Sequence, residues 1–243
     1  MRRMKLSDYD AIAFDVEGTL ADTIPTHHAA RLQAFSELGY GNITAQQHEL
    51  GKTYGSSSSD IIGGVLHEAG VIKENGPYNE NPVVQEALDL KMRLYEQAAE
   101  AGFNAMPGAV EFVESVASRY IGRMALVTTS QERFVTSFLE KYDLLKYFAR
   151  DLIIGEDTIK SEGINGKPAP DSYNLAKKRL HADSLLVFED TAPGTIAAKK
   201  AGATVVAVAF EPNNTKLFES GTLEYPPDLL VKDYGEARRI LGI

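Results

Sequence analysis

Residues 11–23 read AIAFDVEGTLADT, an apolar run that ends in two carboxylates, Asp15 and Glu17, followed by a Gly-Thr turn. Strands that are buried on both faces lack polar alternation, and such strands are typical of parallel sheets. Ligands of open parallel sheets bind at the carboxyl ends of the strands. This stretch therefore predicts a central strand that delivers Asp15 and Glu17 to a binding site.

Four more apolar runs of the same kind follow along the chain. They cover residues 124–128, 151–155, 185–190 and 204–210. Between them, apolar residues recur at helical spacing within 108–120, 131–141 and 171–180. Because strands and helices alternate, the sequence predicts a doubly wound α/β fold with a parallel sheet.

Residues 24–100 interrupt this alternation, because only helical patterns occur there. One pattern ends at Gly39, and a longer one over 81–101 ends at Gly102. We expect the sheet to resume near 104–113. The predicted organisation is an α/β core of residues 1–23 and 101–243 with an inserted helical domain of residues 24–100.

Composition limits the possible partners and the compartment. The chain has 34 acidic and 25 basic residues, a net charge of −9, which disfavours nucleic acid and anionic membranes as partners. It has no cysteine, which excludes disulfides, thiolate metal sites and a cysteine nucleophile. We find no signal peptide and no transmembrane pattern. We expect a cytoplasmic monomer or homodimer.

A second pair of acids, Glu189 and Asp190, ends the run 185–190. If this strand lies beside the first, its acids converge with Asp15 and Glu17. Converging carboxylates repel one another, and burying them without partners opposes folding. A hard divalent cation with oxygen ligands removes that conflict, and Mg²⁺ is the common choice. The sequence therefore predicts a magnesium site.

Three further residues extend this predicted site toward phosphate. Thr128 and Thr129 follow the run 124–127, at the expected start of a helix whose amides attract anions. Lys167 lies in a proline-rich loop before the helical pattern 171–180, and a fixed ammonium suits a phosphate oxygen. Each residue alone is more often an ordinary surface or strand-end residue, so the prediction depends on their combination.

Four motifs in this order resemble those of the haloacid dehalogenase superfamily, on its phosphatase and phosphomutase side. They are DVEGT (15–19), ALVTTS (125–130), GKPAPD (166–171) and VFEDTAPGTIAAKKAG (187–202). The first motif of that family is Asp-x-Asp-Gly-Thr, so Glu17 is a departure from it. Glutamate at this position also occurs in the enolase-phosphatase branch of the family.

The resemblance implies a role for each matching residue. Asp15 would be the nucleophile, would form an aspartyl-phosphate and would also bind Mg²⁺. Glu17 would bind the metal through its backbone carbonyl, while its side chain would act first as general acid and then as general base. The extra methylene of Glu17 changes the reach of that carboxyl group, and small misplacements cost rate.

The same resemblance assigns the remaining motif residues. Thr128 and Lys167 would hold the phosphoryl oxygens, and Lys167 would also neutralise the nucleophile. Asp190 would complete the metal site, with Glu189 as a ligand or as a neighbour of the ligands. These roles match the needs of phosphoryl transfer, which depends on positioning and on neutralising charge.

In this family a helical insert after the first motif is a C1 cap that sets specificity, which residues 24–100 match. His27, in DTIPTH, corresponds to a histidine of the β-phosphoglucomutase branch, and Lys91, in KMRLY, to a cap lysine. That branch also has a cap-loop arginine, whereas GKTYGSSSSD (51–60) offers only Lys52 as a basic residue. Its absence favours hydrolysis of a monophosphate over a bisphosphate mutase.

The resulting hypothesis is a Mg²⁺-dependent phosphatase for a small phosphorylated metabolite, of the sugar phosphate or phosphoglycolate type. A phosphomutase of the β-phosphoglucomutase type is the alternative within enzymes. A catalytically weak homologue with a binding or regulatory role is the alternative outside them, and Glu17 is its only support.

Overall fold

A computed structural model describes residues 4–41, 43, 58–210 and 212–243. The chain divides into two compact units. The first, here called the α/β unit, comprises Met1–Asp22 and Gly102–Ile243, and the second, the helical unit, comprises Thr23–Ala101.

The strands and helices are numbered along the chain. The strands are β1 (Ala11–Phe14), β2 (Ala21–Asp22), β3 (Asn104–Ala105), β4 (Met124–Val127), β5 (Ile153–Ile154), β6 (Leu185–Glu189), β7 (Thr204–Val208) and β8 (Leu229–Val231). The helices are α1 (Ile24–Glu37), α2 (Ser58–Glu68), α3 (Pro82–Ala99), α4 (Ala109–Tyr120), α5 (Glu132–Lys141), α6 (Glu156–Glu162), α7 (Asp171–Leu180), α8 (Ala192–Lys200), α9 (Pro212–Glu219) and α10 (Tyr234–Leu241).

Six strands form one parallel sheet in the order β5-β4-β1-β6-β7-β8. β1 therefore lies between β4 and β6, with Ile12 opposite Met124 and Phe14 opposite Phe188. The predicted parallel sheet is confirmed. Its arrangement brings the carboxyl ends of β1, β4 and β6 to one place, where the predicted site residues follow.

Helices cover both faces of this sheet, which confirms the doubly wound α/β class. On one face, Ala11 and Ala13 pack in a core with residues of α7 and α8, among them Tyr173 and Ala197. On the other face, the Phe14 ring lies 6.2 Å from that of Phe112 in α4. Both faces are thus apolar, which explains why β1 reads as a continuous hydrophobic run.

The sheet does not resume where the sequence indicated. Residues 104–105 form β3, which pairs antiparallel with β2 in a separate two-stranded ribbon. A strand of two residues buries little side chain, and Asn104 is exposed. The ribbon joins the two points at which the chain leaves and re-enters the α/β unit, and the main sheet resumes at β4.

The helical unit contains α1, α2 and α3 among its described residues, and both α1 and α2 pack on α3. Phe35, Ile62, Leu66 and Val84 belong to its apolar core. The α3 helix begins after Asn81, whose side chain accepts hydrogen bonds from the amides of Val83 and Val84. Within the described ranges, none of the helices has the length and apolar character needed to cross a membrane.

Candidate active site

The turn after β1 places Asp15 at the end of the central strand. The Asp15 amide donates to the Phe188 carbonyl at 3.0 Å, which extends the pairing of β1 with β6 by one residue. Asp15 is 7% exposed. The chain then reverses, because the amides of Leu20 and Ala21 both donate to the Val16 carbonyl at 2.8 Å.

Lys167 binds two buried carboxylates at once. Its Nζ lies 2.5 Å from Oδ1 of Asp15 and 2.6 Å from Oε1 of Glu189, and it also donates to the Val127 carbonyl at 2.8 Å. Burial lowers the pKa of Lys167, but Asp15 and Glu189 raise it more, so the net shift is upward. The lysine is therefore a fixed cation between the ends of β1, β4 and β6.

The carboxylates of Asp15, Glu189 and Asp190 fit a metal ion. Each offers one oxygen within 4.8 Å of the other two. Burial raises the pKa of Asp15 to about 7, and it also raises the pKa of Asp190 well above its usual value. Three acids thus face one lysine in this cluster. A hard cation with oxygen ligands would supply the missing positive charge, and Mg²⁺ suits this donor set.

Both carboxylate oxygens of Glu189 accept hydrogen bonds from protein groups. Its Oε1 accepts from Lys167 and from the Tyr173 hydroxyl at 2.7 Å. Its Oε2 accepts from the amides of Asp190 and Thr191 at 3.2 and 3.4 Å, and from the Thr191 hydroxyl at 3.2 Å. Asp190, by contrast, accepts from the Thr19 hydroxyl at 3.3 Å. The two adjacent acids therefore have different surroundings.

Two glycines allow the acids to approach the backbone. Gly18 has φ +78°, and a Cβ atom at this position would overlap the carboxylate of Asp190. A Cβ atom at Gly194, in the first turn of α8, would overlap the carboxylate of Glu189. The glycines of the first and fourth motifs are thus required by close packing against the acids.

The end of β4 carries Thr128, which is 1% exposed. Its amide donates to the Ile154 carbonyl at 3.0 Å, and its hydroxyl accepts from the Ser130 amide at 3.1 Å. Ser130 in turn donates its hydroxyl to Oε1 of Glu17. The structure thus links Glu17 to the segment that follows β4.

Thr129 is exposed, and α5 begins at Glu132, later than the expected position at Thr129. The Glu132 amide donates to the Asp157 carboxylate at 3.1 Å. This amide of the first helical turn therefore already has an acceptor within the protein. An anion cradle of the kind expected here would therefore depend on Thr128 and the Thr129 amide more than on the helix.

His27 and Lys91 lie together inside the helical unit. The Lys91 Nζ is 2.9 Å from Nδ1 of His27, and Lys91 is 2% exposed. The His27 ring stacks parallel to that of Tyr95, with centroids 4.1 Å apart. Lys52 lies outside the described residues. Two of the three residues predicted in the insert therefore form one cluster with Tyr95.

Sequence reasoning missed Tyr173, Ser130 and Tyr95 as members of these clusters. Tyr95 follows Lys91 by four residues, a helical spacing that places both on one face. Ser130 stands in the quoted motif ALVTTS, and Tyr173 follows GKPAPD by two residues. Nothing in the sequence distinguishes the tyrosine hydroxyl from an ordinary core aromatic.

A sequence profile described as haloacid dehalogenase-like hydrolase matches residues 12–208. Because this match covers most of the chain, the chain belongs to the haloacid dehalogenase-like hydrolase family. The family indicated by the four motifs is confirmed, and so is the class of enzyme, a hydrolase.

Relatives of known description match over nearly the whole chain. A phosphorylated carbohydrates phosphatase of Thermotoga maritima is 30% identical over 228 residues, covering 88% of this chain and 92% of that protein. A phosphoglycolate phosphatase of Vibrio parahaemolyticus is 26% identical over 229 residues, covering 93% and 95%. A crystal structure from Thermotoga maritima, provisionally named a beta-phosphoglucomutase, has a TM-score of 0.66 at 29% identity and covers 96% of each chain.

Proposed function

We propose that this hydrolase is a Mg²⁺-dependent phosphatase of small phosphorylated metabolites, of the carbohydrate phosphate or phosphoglycolate type. The observation that carries the proposal is the bridge of Lys167 between Asp15 and Glu189, beside the third acid, Asp190. The names of the two relatives support the substrate class. We further propose a cytoplasmic monomer or homodimer.

Asp15, Asp190 and the backbone carbonyl of Glu17 are the proposed direct ligands of the metal. Both oxygens of Glu189 already accept hydrogen bonds from protein groups, so Glu189 is proposed to hold Lys167 in place instead. When bound, Mg²⁺ would supply positive charge for the phosphoryl oxygens. Thr128 and Lys167, with the amide of Thr129, are proposed to bind the same oxygens.

The proposed reaction has two steps on the residues of this chain. A carboxylate oxygen of Asp15 attacks phosphorus, and the bond from phosphorus to the leaving oxygen breaks while Glu17 gives that oxygen a proton. Glu17 then takes a proton from water, whose oxygen attacks the aspartyl-phosphate. Phosphate leaves and Asp15 is regenerated. Throughout, Lys167 neutralises charge near the nucleophile.

Glu17 is proposed to fill the acid and base role despite its extra methylene. Its carboxylate is bound by Ser130, which lies just after Thr128. This contact gives the longer side chain a defined position. It therefore favours Glu17 as a working catalytic acid over Glu17 as a solvated side chain with no fixed position. The proposal of a catalytically weak homologue therefore has less support than that of an enzyme.

The helical unit is proposed to be the cap domain implied by the resemblance, with residues 24–100 selecting the substrate. His27, Lys91 and Lys52 are the proposed substrate-binding residues of this domain. The contact between the Lys91 ammonium and the His27 ring supports a shared role for the first two.

A phosphomutase is the second candidate, and it is favoured by the similarity to the Thermotoga maritima structure named a beta-phosphoglucomutase. The two candidates share the first chemical step. They differ in whether the phosphoryl group passes to water or returns to the substrate.

Phosphate release from a panel of phosphorylated metabolites, with Mg²⁺ and with EDTA, tests the proposal. We expect release with Mg²⁺ from a few related compounds, and none from the Asp15→Asn protein. The exposed Asp183→Asn variant is the matched control, with unchanged release expected. Release by Asp15→Asn near the wild-type rate would exclude the aspartyl-phosphate scheme, and a rearranged phosphate ester without release would favour the mutase.

A further inference from the structure

Helix α10 brings a buried tyrosine, Tyr234, to the turn that follows Asp15. Tyr234 is 1% exposed, and its hydroxyl donates a hydrogen bond of 3.0 Å to the backbone carbonyl of Thr19. Burial raises the pKa of Tyr234 well above its usual value, and the charges of Asp190 and Asp15 raise it further. The hydroxyl therefore remains a donor, and it joins α10 to the first motif.

Thr19 contacts both α10 and the acidic cluster. It is fully buried, and while its carbonyl accepts from Tyr234, its hydroxyl donates to Oδ1 of Asp190 at 3.3 Å. Gly18, the residue before it, packs so closely on the Asp190 carboxylate that a Cβ atom there would overlap it. A small displacement of Thr19 would therefore change the position of a donor to Asp190 at a point where the packing leaves no free space.

The position of Tyr234 is fixed by its own surroundings. Its ring packs against the rings of Phe112 and Phe188, with centroids 4.7 and 6.4 Å away. The residue before it, Asp233, caps α10 by accepting a hydrogen bond from the Glu236 amide at 2.7 Å. Aromatic packing and the helix cap thus hold the tyrosine hydroxyl at a defined point in the core.

We propose that Tyr234 is a positioning residue for the metal site, and that it acts through Thr19 on Asp190. The tyrosine holds the Thr19 carbonyl, and the Thr19 hydroxyl then orients the Asp190 carboxylate. Groups that orient a metal ligand strengthen metal binding, because the ligand loses less freedom when the ion binds. This inference rests on the proposed function, since it takes Asp190 as a direct ligand of Mg²⁺.

The first test compares Tyr234→Phe with Tyr120→Phe. Tyr120 is the matched control, because it is also buried and its hydroxyl also donates to backbone carbonyls, those of Leu6 and Tyr9 before β1. Both variants should lower the Tm by about 2–4 °C, as loss of one buried hydrogen bond predicts. Calorimetric titration with Mg²⁺ alone should show an affinity lowered about 3- to 10-fold in Tyr234→Phe only. Equal Mg²⁺ affinities in the two variants would overturn the proposal.

A double-mutant cycle tests whether Tyr234 acts through Thr19. Thr19→Val removes the hydroxyl that donates to Asp190 and keeps the carbonyl that accepts from Tyr234, so it should lower Mg²⁺ affinity about 10-fold. Thr19→Ser keeps the hydroxyl and should retain most of that affinity. Adding Tyr234→Phe to Thr19→Val should cost less than about twofold more, because residues that act through one contact are not additive. Fully additive losses would overturn the proposal, since Tyr234 would then act independently of the Thr19 hydroxyl.

The Mg²⁺ titration separates this inference from the proposed function, because it needs no turnover. Mg²⁺ binding that weakens in Tyr234→Phe, in a protein that releases no phosphate, would support the inference and count against the phosphatase. Phosphate release together with the same Mg²⁺ affinity in Tyr234→Phe and the wild type would overturn the inference and leave the phosphatase standing. A wild-type protein that binds no Mg²⁺ would overturn both the metal site and the role of Tyr234.

Discussion

The hydroxyl of Tyr173 donates a hydrogen bond of 2.7 Å to Oε1 of Glu189, and both residues have no exposed surface. Burial raises the pKa of Tyr173 well above its usual value, and the nearby Glu189 raises it further. The hydroxyl therefore remains a proton donor at any working pH. Through Glu189, this core tyrosine acts on the position of Lys167.

Replacing Tyr173 by Phe tests this relationship. We expect Tyr173→Phe to destabilise the protein by about 1.5–3 kcal/mol, the range for a hydrogen bond to a charged group. We also expect a lower kcat with little change in KM, because Glu189, which binds Lys167, loses one of the donors that hold it in place. Urea unfolding and steady-state kinetics measure both effects, with the partly exposed Tyr225→Phe as control. An unchanged kcat would show that Tyr173 only fills the core.

Lys167→Met should destabilise the protein far more than Tyr173→Phe does. It leaves Asp15 and Glu189 buried without their shared cation, and breaking a buried ion pair costs about 3–5 kcal/mol. The loss should shrink at pH 5, because the pKa of Asp15 is raised to about 7 and its carboxyl group takes up a proton below that value. Urea unfolding at pH 7.5 and pH 5 tests this expectation. Lys160→Met, at a side chain 69% exposed, is the matched control. A loss that is equal at both pH values would contradict it.

The raised pKa of Asp15 predicts how the stability of the metal-free protein changes with pH. Between the ordinary value of 3.8 and about 7, folded Asp15 holds a proton that unfolded Asp15 has lost. The contribution of this group to stability therefore falls as the pH rises through that window. Thermal unfolding in EDTA should show a decline from pH 5 to pH 8, and Asp15→Asn should weaken it.

Magnesium should reverse this trend, because protons and the cation compete for the same carboxylates. We expect Mg²⁺ to raise the Tm more at pH 8 than at pH 5.5. The same increase at both pH values would contradict the involvement of Asp15 in the metal site.

Gly18→Ala should weaken metal binding. The substitution strains a backbone with φ +78° and drives a methyl group into the carboxylate of Asp190. Gly122→Ala is the matched control, since Gly122 has φ +71° and open space around it. Both variants should lose about 1–2 kcal/mol of stability through backbone strain, whereas only Gly18→Ala should lose at least tenfold in Mg²⁺ affinity. Calorimetric titration of Mg²⁺ distinguishes the two effects.

The placement of Asp15, Lys167, Glu189 and Asp190 at one site could be predicted from the sequence. Each of the three acids follows a strand-like apolar run, and parallel strands end at the same edge. The order of the strands could not be derived so directly, because pairing depends on contacts distant in sequence. β8 and the β2–β3 ribbon escaped prediction because their runs are too short for a periodic pattern.

The hydrogen-bond partners within the site could not be predicted from the sequence either. The bond from Ser130 to Glu17 depends on the path of the loop after β4 and on the torsions of a long side chain. Arg31 of α1 is 7% exposed, yet its neighbours in sequence do not mark it as different from a surface arginine. Hydrophobic patterns in a sequence identify which residues face a core. Hydrogen-bond partners depend on the three-dimensional path of the chain and on side-chain torsions.

The position of β1 has a consequence for the synthesis of the protein. The strand leaves the ribosome before its partners β4 and β6, which follow after residues 123 and 184. Until both arrive, a nascent chain displays an apolar strand with unpaired edges, a form that invites association with other chains. Chaperone contact with residues 11–14 during translation would protect it, and the cluster of Asp15, Lys167, Glu189 and Asp190 can form only after residue 190 has been added.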